Sequence, residues 1–112
     1  MNVVCAPEGT PHAVLIRALA PTEGVELMRA RRKREKETEL CSGPGKLCAA
    51  MGIDRSCYGL DLLGETLYLT PGKPVPEDRI GVSARIGVDY AGEAAQYPWR
   101  FFIRNDANVS KR

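Results

Sequence analysis

The chain has 112 residues, 44% of them hydrophobic and 27% charged, with 16 lysines and arginines against 14 aspartates and glutamates for a net charge of +2. That length is one ordinary domain, and the composition excludes a disordered chain. A charge this balanced names no partner, so only its distribution along the sequence is informative.

No apolar run approaches the roughly 18 residues of a membrane span. The opening Met1-Asn2-Val3-Val4-Cys5-Ala6-Pro7 lacks a basic stretch followed by an apolar one, so a secreted protein is not expected. The chain enters a strand-like segment almost at once. So abrupt a start fits either a natural terminus or a cut through a larger protein.

Four cysteines stand at Cys5, Cys41, Cys48 and Cys57, and the one histidine is His12. There is no Cys-x-x-Cys pair, and the spacing does not suit zinc. The cysteines read as small apolar residues, mostly buried, with a metal site a poor second.

In chain order, Val3-Val4 and Ala13 to Leu19 predict two strands joined by a turn at Glu8-Gly9-Thr10-Pro11, the second buried. Pro21-Thr22-Glu23 predicts a helix start capped by Thr22, with Val25, Met28 and the stem of Arg32 facing inward. The helix runs into residues 29–36, where six cations and one glutamate give a local charge of +5. Cys41-Ser42-Gly43-Pro44-Gly45-Lys46 reads as a loop opening a second helix, with Ser42 as cap, Pro44 in the first turn and Gly52 just past the end. Leu47, Cys48 and Met51 share its inner face. A short turn is expected at Asp54-Arg55-Ser56 and a strand at Thr66 to Thr70, followed by a proline-rich loop at 71–78.

From Ile80 to Val88 the apolar residues alternate strictly, which predicts a strand with one face buried. Gly81 and Gly87 within it point to a bend, a bulge or a close neighbour. Trp99 to Arg104 completes the set. The expected fold is α+β, a mainly antiparallel curved sheet with flanking helices.

Three features invite a functional reading. Gly43-Pro44-Gly45-Lys46 fails as a nucleotide P-loop, because Leu40 and Leu47 stand where glycine and serine or threonine are needed. A glycine-rich loop opening a helix beside Lys46 could still bind one phosphate; the plainer reading is a capped helix with a solvated lysine. The basic run could lie along nucleic acid or be a solvated helix end, and isolated charge runs favour the latter. Arg17 lies inside an apolar strand and needs an anionic partner, either a ligand or a structural carboxylate. His12, Asp61, Glu65 and Asp89 read as surface groups.

Four segments in register add to this: Met1-Asn2-Val3-Val4, Leu15 to Pro21, Glu39-Leu40-Cys41-Ser42-Gly43-Pro44-Gly45-Lys46-Leu47-Cys48, and Arg85 to Glu93. Together they resemble the alkyladenine (3-methyladenine, N-methylpurine) DNA glycosylases, and the Cys-Ser-Gly-Pro-Gly-Lys-Leu-Cys block makes the likeness specific. The resemblance covers nearly all of this chain but only about the C-terminal half of the family's catalytic domain. Residues 1–112 are therefore expected to be an incomplete half of a larger single-domain fold, with its N-terminal portion absent.

The resemblance implies base excision repair. Such an enzyme flips an alkylated or deaminated purine out of duplex DNA and hydrolyses its N-glycosidic bond, with a glutamate as general base and no cofactor. Asn2 matches a base-pocket asparagine that rejects normal guanine, and Leu15 lies near that pocket. Arg17 and the Ile86 backbone carbonyl match groups that position the water. Lys46, Arg55 and the Gly87 backbone match DNA-backbone contacts; a relative has lysine at the Arg55 position, and either cation can meet a phosphate.

The catalytic glutamate, the stacking aromatics and the tyrosine wedged into the DNA all belong upstream of the match to Met1. The chain alone is thus expected to be inactive; the alternative is a non-catalytic remnant that binds the DNA backbone. The implied partner is double-stranded DNA with damaged purines, with no membrane and no protein partner. The implied location is the bacterial cytoplasm and nucleoid, or a nucleus in a eukaryote.

Overall fold

The computed structural model describes residues 1–110, which fall into two compact units, residues 1–70 and residues from Pro71 onward. In the first, β1 (Asn2–Val4) and β2 (Ala13–Leu15) form an antiparallel hairpin, followed by helices α1 (Val25–Arg32) and α2 (Pro44–Met51). In the second, β3 (Ile80–Ser83) and β4 (Arg100–Ile103) form another antiparallel pair. The α+β class is as expected, but the antiparallel pairing is divided between two separate two-stranded ladders.

The core of the first unit is the fully buried cluster Leu40, Cys41, Leu47 and Ala50. Met1, Ile16, Leu19, Val25, Met28 and Cys48 close around it, half-buried. Helix α2 forms here because its ends are well signalled. Pro44 occupies the first turn, where its missing N–H costs nothing. Gly52 has φ +69°, and the N–H groups of Gly52 and Ile53 return to the carbonyls of Ala49 and Cys48 at 3.3 and 2.8 Å, a Schellman closure. Glycine is needed there twice over, because a Cβ would also stand 3.1 Å from the Arg31 guanidinium carbon.

Helix α1 buries no residue fully. Its arginines tie it down instead. Arg31 Nη1 donates to the Ala50 carbonyl at 3.0 Å, at the C-terminal end of α2. Arg32 Nε and Nη2 donate to the carbonyls of Leu40 and Glu39 at 3.1 and 3.2 Å. Arg29 Nε donates to the Glu35 carbonyl at 2.9 Å, and its guanidinium pairs with Glu26 and Glu37. Arg31 and Arg32 therefore satisfy carbonyls that the ends of helical turns leave open, and Arg29 holds a carbonyl of the loop after α1.

Among the described residues of the second unit only Gly81 is buried. It lies beneath the Phe102 ring, and any Cβ at this position would collide with the ring. The unit is held by its ladder and by cations on aromatic faces: Arg100 at 4.5 Å from the Phe102 centroid and Arg85 at 5.0 Å from that of Trp99.

Several expectations change. The second strand ends at Leu15 rather than Leu19, and all three of its residues are exposed, not buried. Helix α1 starts at Val25 after Gly24 in the left-handed region, with no side-chain cap, so Thr22 has no such role. Gly43, not Ser42, caps α2, and Ser42 is itself buried. Residues 66–70 form no strand. The strand from Ile80 stops at Ser83, and its buried position is Gly81 rather than the apolar series, since Val82 is half exposed. The alternation is real, but the face it defines is uncovered. Val4, Val14, Leu15, Val82 and Phe101 all stand in solvent.

Leu47→Ala should therefore destabilise the first unit by about 3 kcal/mol, through lost burial plus a cavity. Val4→Ala should change stability by only a few tenths of a kcal/mol, by the same bookkeeping of buried area. Urea denaturation of the two variants measures the contrast, and equal losses would contradict this placement of the core.

Candidate functional site

The hairpin register sets Asn2 directly opposite Leu15, with Val3 opposite Val14 and Val4 opposite Ala13. Directly opposed side chains share one face of a ladder. Asn2 and Leu15 thus form one exposed patch. The ladder gains one more bond where Ile16 N–H donates to the Met1 carbonyl at 2.9 Å. Arg17 follows immediately. It is half-buried and makes no hydrogen bond or ion pair among the described residues. Leu19 N–H then donates to the Cys41 carbonyl at 3.0 Å, which ties this stretch to the entrance of α2.

Lys46 lies in the first turn of α2, exposed, with its stem folded back over Gly43. It lines an open cleft of about 370 Å³ together with Arg32, Arg34 and Glu39. Arg55 is exposed on a 3₁₀ turn, Arg55–Cys57, which Asp54 starts by accepting from the Ser56 N–H and Oγ at 2.9 and 2.5 Å. Those two hydrogen bonds hold the Asp54 carboxyl below its ordinary pKa.

Ile86 and Gly87 belong to the second unit, in the loop after β3. Ile86 is half-buried. Gly87 has φ +71° with open space where a Cβ would be, so its backbone conformation, not crowding, calls for glycine. Arg85 just before them donates to the Ala94 carbonyl at 3.3 Å and stacks on Trp99, while its Nε is buried without a hydrogen-bond partner. Sequence reasoning gave Arg85 no role beyond a polar strand position, although its place next to Ile86 was a usable signal. Arg34 was likewise hidden inside a run of identical charges.

The four cysteines are free thiols. Burial pushes the Cys41 thiol pKa up, against a smaller opposing pull from Arg32. Among the described residues no group of three or more His, Cys, Asp or Glu side chains could hold a metal ion, and no helix is long and apolar enough to cross a membrane.

Residues 1–107 match the sequence pattern of the methylpurine-DNA glycosylase family. The chain belongs to that family of DNA repair hydrolases. A relative from Methanocella arvoryzae is 49% identical over 114 residues, covering 100% of this chain and 56% of its own length. Relatives from Chlorobaculum parvum and Rubrobacter xylanophilus are 44% and 49% identical, and the matched parts are 51% and 52% of their lengths. All three are named, provisionally, 3-methyladenine DNA glycosylase. The chain spans a little over half the length of the curated relatives it matches.

The lowered Asp54 pKa fixes a sign. Its two hydrogen bonds stabilise the folded chain at neutral pH, and that contribution is lost as pH falls through the lowered value. Asp54→Ala should lower the urea midpoint at neutral pH, and the gap from the parent chain should close in strong acid. A gap of constant size across the titration would contradict a charged cap.

Proposed function

We propose that this chain supplies one wall of the base pocket and the backbone-holding surface of a methylpurine-DNA glycosylase. In the proposed reaction an alkylated or deaminated purine is flipped out of duplex DNA. Water adds to the sugar carbon as the N-glycosidic bond breaks, and the purine departs with the bonding electrons. The observation that carries this reading is Arg17: half-buried, unpartnered, and next in line to the Asn2–Leu15 pair. A guanidinium left without an anion in such a place suits a site whose anionic or polar occupant arrives with the substrate.

Arginine stays protonated, so Arg17 can orient a water but cannot take its proton. A carboxylate must do that, and no carboxylate of the described residues is paired with Arg17. In the first unit Lys46 and Arg55 can meet phosphates; in the second, taken by itself, the Ile86 carbonyl can accept a hydrogen bond from a water and the Gly87 backbone can meet a phosphate. On this reading residues 1–112 are the C-terminal portion of the domain. The exposed apolar residues Val4 and Val14, on opposite faces of the hairpin, belong to surfaces that the rest of the domain covers. The full enzyme acts on chromosomal DNA in the cytoplasm and nucleoid, or in a nucleus.

On this reading the chain binds duplex without cleaving it, because no carboxylate of the described residues stands paired with Arg17 to take the proton of the water. The exposed cations Lys46 and Arg55 also support the simpler reading of a purely backbone-binding remnant, in which Arg17 has no part. Single-turnover incubation with duplex carrying hypoxanthine or ethenoadenine separates these readings from the alternative of an active fragment. The expected outcome is salt-sensitive binding with no base release above a protein-free control. Release that disappears in Arg17→Ala would overturn the assignment of the chain as catalytically incomplete.

A further inference from the structure

The cleft beside Lys46 divides the basic run in a way its composition does not suggest. Arg29, Arg31 and Arg32 are occupied by carbonyls and carboxylates. Lys33 sits in the left-handed region at φ +53° and ends α1. The chain turns there, and Arg34 N–H returns to the Arg29 carbonyl at 3.4 Å. The next residue, Glu35, is held in turn by Arg29 Nε at 2.9 Å. Arg34 is thus fixed in backbone position on both sides rather than fraying from a helix end.

Its side chain lines the same cleft as Lys46, along with Arg32 and Glu39. Among the described residues neither Arg34 nor Lys46 uses its side chain in a hydrogen bond or ion pair. Arg32 is turned to the carbonyls of Leu40 and Glu39, so the two free cations are what an incoming anion would meet.

We propose that Arg34 and Lys46 together hold one phosphate of the DNA backbone, which makes Arg34 a specific contact while the rest of the run is structural or solvated. The inference rests on the duplex-binding reading above. Two pre-placed cations on one phosphodiester lose little side-chain freedom on binding, and arginine brings forked donors that lysine lacks. Glu39 opposes the phosphate and weakens the site.

The test is fluorescence anisotropy of a labelled duplex over a range of salt, with the full chain and the variants R34Q, K46Q, R34Q/K46Q, K36Q and E39Q. K36Q removes the same charge two residues away from Arg34, at a side chain that does not line the cleft. R34Q and K46Q should each weaken binding about three- to tenfold and flatten the salt dependence, by at most about 0.9 in log–log slope. The double variant should flatten it no further, because one phosphate is involved. K36Q should have the smaller effect of a screened charge, and E39Q should bind more tightly. All four positions are exposed, and circular dichroism checks that each variant folds. If R34Q behaves like K36Q while K46Q weakens binding, the shared site is wrong and duplex binding stands. If the parent chain does not bind duplex at all, both fail.

Discussion

The unit from Met1 to Thr70 depends on two guanidinium groups reaching across from α1 to the ends of the neighbouring helical turns. Arg31 meets the last carbonyls of α2 at Ala50, and Arg32 meets Glu39 and Leu40 at its approach. Hydrogen bonds from a charged donor stabilise by roughly 1.5–3 kcal/mol each. With no fully buried residue of its own, α1 has little else beyond the half-buried Val25 and Met28 to hold it. These contacts pack the helices around Leu40 and Leu47. They also present the Cys41 carbonyl to Leu19 and so anchor the stretch that carries Arg17. The site residues of this unit inherit their positions from that bracing.

A basic run is therefore two things in one chain. Its helical part acts as internal scaffold, and the part beyond the left-handed Lys33 faces solvent. The same division explains why a net charge of only +2 is compatible with a DNA-binding family. Many of the acids are paired, capping or scattered, as Glu26, Glu37 and Asp54 illustrate. What matters for a phosphate is the local pair of cations left over.

How much of this was legible in the sequence varies by element. Helix α2 could be read because Pro44 and Gly52 act locally, through a missing N–H and a left-handed φ. The first hairpin and the Asp54 turn were readable for the same reason, since turns are set by a few adjacent residues. Burial was readable on the helices, where Val25, Met28, Leu47 and Cys48 face the core, but not on the strands. Ala13 to Leu15 and Ile80 to Ser83 look like core strands, yet their apolar faces are open, because burial depends on what packs from elsewhere. The closest packing in the second ladder is Gly81 under Phe102, which needs the cross-strand register to be known. Family membership came from short motifs in register, and the matched relatives are nearly twice as long as this chain. Arg34 could not be distinguished from its neighbours until the backbone turn at Lys33 was seen.

The central claim is that duplex DNA meets this chain through the exposed cations around the start of α2 and the turn after it. The direct measurement is amide chemical-shift mapping of the isotope-labelled chain during titration with a short duplex. The account predicts that the largest shifts within residues 1–70 fall at Arg34, Gly45, Lys46 and Arg55, while Arg29, Arg31 and Arg32 move little. Shifts centred on Arg29 to Arg32, or none at Lys46 and Arg55 at saturating duplex, would contradict it.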